Sequence, residues 1–310
     1  MGLVVLPVRG ITLVAHTAIT CGRAVLTTLD GQLVAEFALS TKALLMANPF
    51  YADKPKDLES QVQVLTRSLD ELVGTPVLVW RDVADYTFPL SEDNEAALLS
   101  EAQDTLALLR LAFWLTGLWT PAGVMPRSSI GLAFGEQGMN RRIFLVSSSG
   151  ASVKASMVVS HVFVRDTSMQ EIQQAIGPLH EAGARDDRRT LRFFRLFSDA
   201  LEAPRPEQYL TWLTTALETL LIGEDVADVS YRLRLSVLCI TRTRSDWGVV
   251  KELYRFRNSY IHNGTVVQAD ALALAGAIRS TLRSIVEWVV TGTHPQQALG
   301  ECLDQLSRQR

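Results

Sequence analysis

The chain predicts an α+β protein, with a mixed strand-and-helix domain over residues 1–167 followed by an all-α helical bundle over residues 168–310. Two observations carry that division. Before residue 165, short β-favouring runs such as Leu3-Val4-Val5-Leu6 are interspersed with two helical patterns. From Ser168 onward, apolar residues recur at three- and four-residue spacing with short segments between, so neighbouring helices should pack antiparallel.

The elements follow in order. Leu3–Leu6 and Ile11–Val14 read as strands, and residues 24–39 read as two more strands about an Asp30-Gly31 hairpin turn. Residues 56–73 place Leu58, Val62, Leu65, Leu69 and Leu72 on one helical face and stop at Gly74. Val77–Trp80 is a further strand. Ser91 caps a helix with Glu92 and Asp93 in its first turn, which runs to Thr116 before Gly117. Ile143–Val146 and Met157–Val164 are strand-like. The bundle then reads as helices over residues 168–179, 186–201, 207–222 (opened by Pro206), 228–241 and 245–262, with a last helix over 270–290.

Composition narrows the function classes. With 47% hydrophobic residues, the 310-residue chain can bury cores for two domains. The net charge of −3 offers no global field for nucleic acid, so any such partner must be held by a local basic patch. Cys21, Cys239 and Cys302 are far apart and lack metal-ligand spacing, which predicts free thiols in a reducing compartment. His16, His161, His180 and His294 have no carboxylate or cysteine at ligand spacing, so no metal is expected. Gly135-Glu-Gln-Gly138 lacks the lysine and glycines of a nucleotide loop, and no cofactor is expected. The longest apolar run, residues 106–118, contains Arg110 and is too short to span a bilayer, so a soluble cytoplasmic protein without a membrane partner is expected.

The densest chemistry lies in residues 251–264, K-E-L-Y-R-F-R-N-S-Y-I-H-N-G. Leu253, Phe256 and Tyr260 face a core at helical spacing, while Arg255, Arg257 and His262 are polar additions to a half-buried helix. Asn263-Gly264 is a stop signal that puts His262 in the last turn, where the helix dipole favours the imidazolium. Arg257 and His262 are five residues apart, about 140° around a regular helix. If the helix loosens at Asn263-Gly264, the two can converge on one anion: His262 moves a proton, Arg257 grips a phosphate with two N–H groups, and Asn258 orients either.

Arg257-Asn258-x-x-x-His262-x-Gly264, preceded by Leu253-Tyr254, resembles the signature of the HEPN superfamily, specifically its Apea-like branch. Residues 216–221, A-L-E-T-L-L, supply the upstream Leu-Glu helix that accompanies it, and Asn263 stands where many relatives follow the histidine directly with glycine. Arg-x4-His spacing alone decides nothing in so arginine-rich a chain; the flanking residues carry the resemblance. It covers the helical half only.

The resemblance implies a metal-independent endoribonuclease with Arg257 and His262 catalytic. A 2′-hydroxyl would attack the adjacent phosphate, leaving a 2′,3′-cyclic phosphate and a 5′-hydroxyl. It also implies a homodimer through the helical domain and a role as a bacterial anti-phage or toxin effector, with the N-terminal domain sensing, or binding a protein partner or inhibitor. The other reading is a non-catalytic module that dimerises or binds RNA or protein. Glu218 sits among leucines and wants a cation, with Arg232, Arg234 and Arg257 as candidates. It either staples two helices, the favoured reading, or holds the catalytic arginine. Tyr254 and Tyr260 are candidate base-stacking rings, although such rings are more often core.

Residues 228–262 hold seven cations against Asp228, Asp246 and Glu252, and Arg232, Arg234, Lys251 and Arg255 are the RNA-contact candidates. Arg185, Arg188, Arg192 and Arg195 form a second stripe, read as a solvated face.

Overall fold

The computed structural model describes residues 3–9, 11–14, 17–46, 54–81, 92–118, 131–132, 162–164, 166–185, 188–222, 228–264, 268–292 and 295–308. It divides into two compact units, Met1–Leu109 with Ser128–Gln174, and Arg110–Arg127 with Ala175–Arg310. The fold is α+β. Among the described residues no helix is long and apolar enough to cross a membrane.

The first unit contains β1 (Val4–Arg9), β2 (Ile11–Leu13), β3 (Ala18–Cys21), β4 (Ala24–Thr28), α1 (Gly31–Met46), α2 (Pro55–Asp70), β5 (Pro76–Trp80), β6 (Gly131–Leu132) and β7 (Val162–Val164). It also takes the first part of α3 (Glu92–Leu115) and of α4 (Asp166–Ala184), helices that contribute to both units. Five strands form an antiparallel sheet in the order β3-β4-β5-β1-β6, and β2 pairs in parallel with β7. Strand alternation explains its core. Leu3, Val5, Val77 and Val79 share one face and cluster with Leu33, Val34 and Phe37 of α1 and Leu58 and Leu69 of α2.

Asp30-Gly31 is not a hairpin turn. The Leu33 amide donates to Asp30 Oδ1 at 2.8 Å, so Asp30 caps α1, and the apolar residues after it face the core at helical spacing. Asp-Gly suits either role, and the 3.6-residue pattern beyond it decided between them. Ser91 and Ile143–Val146 lie outside the described residues.

The second unit is helical: the ends of α3 and α4, then α5 (Arg188–Glu202), α6 (Pro206–Leu221), α7 (Val229–Thr241), α8 (Arg244–Asn263), α9 (Gln268–Thr291) and α10 (Pro295–Arg308). Its core is built on Phe193, Phe194 and Phe197 of α5, Tyr209, Leu213 and Leu217 of α6, Leu253 of α8 and Ile278 and Leu282 of α9, all at most 1% exposed. Each such side chain contributes about 1.5–3 kcal/mol on burial. Trp114 meets Phe197 edge-to-face at 5.0 Å. Beside it Arg110 pairs with Glu202 at 3.2 Å and donates to Ser198 at 2.8 Å, which satisfies a cation inside an apolar run.

Arg185 is not a surface cation of a basic stripe. Its guanidinium donates to the carbonyls of Val289, Val290 and Gly292, closing the C-terminal end of α9 where the dipole favours positive charge. Arg188, Arg192 and Arg195 are exposed on α5.

Two further expectations are corrected. The helix over 268–291 is followed by α10, whose start signal, Pro295 at the first turn, and whose Leu299, 4% exposed, were visible in the sequence. Cys239 of α7 and Cys302 of α10 are joined by a disulfide, with Cα atoms 6.1 Å apart, so they are not free thiols. Their separation of 63 residues hid the pairing, because only the packing of α10 on α7 brings them together. Cys21 is buried and free, its thiol pushed up to about 12 by desolvation.

The loop-closure entropy of that 63-residue separation predicts that reduction, or Cys302→Ser, lowers stability by about 2–4 kcal/mol. Urea midpoints measured with and without dithiothreitol check this, and coincident midpoints would contradict it.

Candidate functional site

α8 is positioned by its two ends. Arg242 closes α7 in the left-handed region (φ 54°), its amide donating to Leu238 O, and α8 begins two residues later. Asp246 in the first turn suits the helix dipole and accepts from Thr281 Oγ1 of α9 at 2.8 Å. At the other end Gly264 takes φ 68° and its amide donates to Tyr260 O at 3.0 Å. Val250, Leu253 and Phe256 face the core.

The helix does not loosen at Asn263-Gly264. It stays α-helical through Asn263, because the left-handed glycine closes the last turn rather than unwinding it. Arg257 and His262 therefore leave the helix about 140° apart. Arg257 points toward α6 and its side chain is 23% exposed, whereas His262 is exposed. Asn258, half-buried, lies on the arc between them, about 100° from Arg257 and 40° from His262.

The structure brings together Arg257, Glu218 and Tyr254. Arg257 Nη1 lies 3.4 Å from Glu218 Oε1, with the Glu218 side chain 19% exposed, and the guanidinium sits 5.7 Å from the Tyr254 ring centroid. Of the three cations considered for Glu218, packing selects Arg257. Burial raises the Glu218 carboxyl above its ordinary 4.5, and the Arg257 charge pulls it back only in part. At that separation and burial, desolvation opposes much of the attraction, so the pair orients Arg257 more than it stabilises the bundle. Arg257 Nε is buried, with no hydrogen-bond partner among the described residues. Such a donor costs about 1–3 kcal/mol unless an acceptor reaches it.

The other candidates divide. Arg232, Lys251 and Arg255 are exposed, Arg255 lying 3.5 Å from Glu252 on the surface. Arg234 is half-buried, donates to Ser230 O at 3.0 Å, and lies against Trp247, which the sequence reading did not select. The signal for Trp247 was its seven-residue spacing from Tyr254, which puts both rings on one stripe of α8. Tyr260 is half-buried, and His180 is exposed on α4. Among the described residues no three His, Cys, Asp or Glu side chains group as a metal site. No family model, curated protein or solved structure matches the chain.

Because folding raises the Glu218 pKa, the folded state binds more protons than the unfolded state from the ordinary value up to the raised one. The resulting stabilisation is present below 4.5 and is lost as pH rises through the folded value. Glu218→Gln should flatten this dependence. Urea midpoints across the acidic range check it, and equal pH slopes for the two proteins would contradict it.

Proposed function

We propose that the chain is a metal-independent endoribonuclease of the HEPN type, a bacterial anti-phage or toxin effector acting in the cytoplasm. The observation that carries this reading is Arg257: its guanidinium is paired with Glu218 and lies 5.7 Å from the Tyr254 ring centroid, on the helix that ends at exposed His262. An arginine fixed in this way can bind a phosphate with little loss of side-chain freedom. His262 takes the proton from the ribose 2′-hydroxyl, or gives one to the departing 5′-oxygen, while Arg257 neutralises the charge that develops on the phosphate. The P–O5′ bond breaks as the 2′-oxygen bonds to phosphorus, leaving a 2′,3′-cyclic phosphate and a 5′-hydroxyl.

The two side chains diverge by about 140° on one regular helix, so the reading requires a homodimer in which the His262 of one copy faces the Arg257 of the other. Exposed Ile261, 53% accessible beside His262, is an apolar residue suited to that contact. The first unit then senses a trigger or binds a protein partner or inhibitor. The same divergence favours a second reading, a non-catalytic HEPN-like module in which Arg257–Glu218 only joins α6 to α8 and the bundle dimerises or binds RNA or protein.

Full-length protein incubated with RNA in EDTA separates the two. Cleavage to cyclic-phosphate ends, reduced at least about 100-fold in His262→Ala and in Arg257→Lys, supports the enzyme. Intact RNA from a protein that light scattering shows to be dimeric supports the module.

A further inference from the structure

Two aromatic rings on α8 are each accompanied by an arginine. Arg234 Cζ lies 4.9 Å from the Trp247 ring centroid and 5.8 Å from that of Tyr231, and Tyr231 meets Trp247 edge-on at 5.7 Å. One heptad on, Arg257 Cζ lies 5.7 Å from the Tyr254 centroid. Trp247 and Tyr254 are both half-buried, standing at the shoulder between the core side of the helix and its exposed side.

The exposed side next to them is basic. At 1.5 Å and about 100° per residue, Arg244, Trp247, Lys251, Tyr254, Asn258 and His262 fall within a stripe about 80° wide and about 27 Å long. Arg244, Lys251 and His262 are exposed. The carboxylates of α8 lie away from this stripe: Asp246 is engaged by Thr281, and Glu252 lies beside Arg255. A strip with flat rings at intervals of about 10 Å and cations alongside, with no α8 carboxylate within it and Glu218 of α6 engaged by Arg257, is complementary to a chain of bases and phosphates. A duplex hides its bases and would leave the rings without partners.

The geometry points to this face of α8 as a track for single-stranded RNA. Bases stack on Trp247 and Tyr254, each ring backed by an arginine, and Arg244 and Lys251 meet the backbone as it runs to His262. The track rests on the ribonucleic acid reading above, but it is separable from cleavage, because Trp247 and Lys251 take no part in the proposed proton transfers.

The test is fluorescence anisotropy of full-length protein with a labelled 12-nucleotide single-stranded 2′-O-methyl RNA, which lacks the attacking hydroxyl, and with a duplex of equal length, in EDTA across a salt series. The track predicts tighter binding of the single strand. It predicts a loss of about tenfold in Trp247→Ala, largely restored in Trp247→Phe. Lys251→Ala should weaken the logarithmic salt dependence by about 0.7. Photo-crosslinking with 4-thiouridine RNA gives an independent reading, with adducts expected in the peptide spanning residues 244–262. Equal affinity for duplex, an unchanged affinity in both Trp247→Ala and Lys251→Ala, or adducts confined to other peptides would overturn it. If Trp247→Ala does not fold, the Lys251→Ala slope and the crosslinks decide. Cleavage lost in His262→Ala with binding indifferent to Trp247 sinks the track and leaves the nuclease. Binding that depends on Trp247 without cleavage does the reverse.

Discussion

The ion pair between Glu218 and Arg257 sets the character of the helical unit around α8. A carboxylate placed among Leu217, Leu220 and Leu221, each at most 5% exposed, is costly to keep ionised, and its raised pKa records that cost. The arginine at 3.4 Å relieves part of it and is itself turned away from solvent, toward α6 and the Tyr254 ring. Interactions of this kind add little net stability but are costly to break on one side only, so they suit a group whose direction matters.

The same economy of placement recurs along α8. Arg234 of α7 lies 4.9 Å from the Trp247 ring centroid and Arg257 lies 5.7 Å from that of Tyr254, so each of two rings one heptad apart on α8 has a cation beside it. The helix that carries the two rings is bounded by a left-handed arginine closing α7 before it and a left-handed glycine closing its own last turn. The regular helix between them sets Arg257 and His262 about 140° apart within a chain.

Farther from α8, polar groups serve the ends of helices. Arg185 gathers three carbonyls at the end of α9, and Asp30 caps α1. The four threonines of α6, Thr211, Thr214, Thr215 and Thr219, each return a hydroxyl to the carbonyl four residues back, which gives each of these hydroxyls an acceptor inside the helix. The disulfide between Cys239 and Cys302 adds a covalent tie between α7 and α10.

Periodicity and stop signals determined the α+β class, the strands of residues 3–6 and 77–80, and α5 through α9, because each depends only on which neighbours along the chain share a face. The residue types of the candidate site were legible for the same reason, as was the need of Glu218 for a cation. The choice of Arg257 over Arg232 and Arg234, the continuation of α8 as α-helix through Asn263, the pairing of Cys239 with Cys302 and the reassignment of Asp30 to a helix cap were decided only by tertiary structure. Each of these depends on groups distant in sequence, or on a local signal compatible with two conformations, and packing rather than pattern chooses between them.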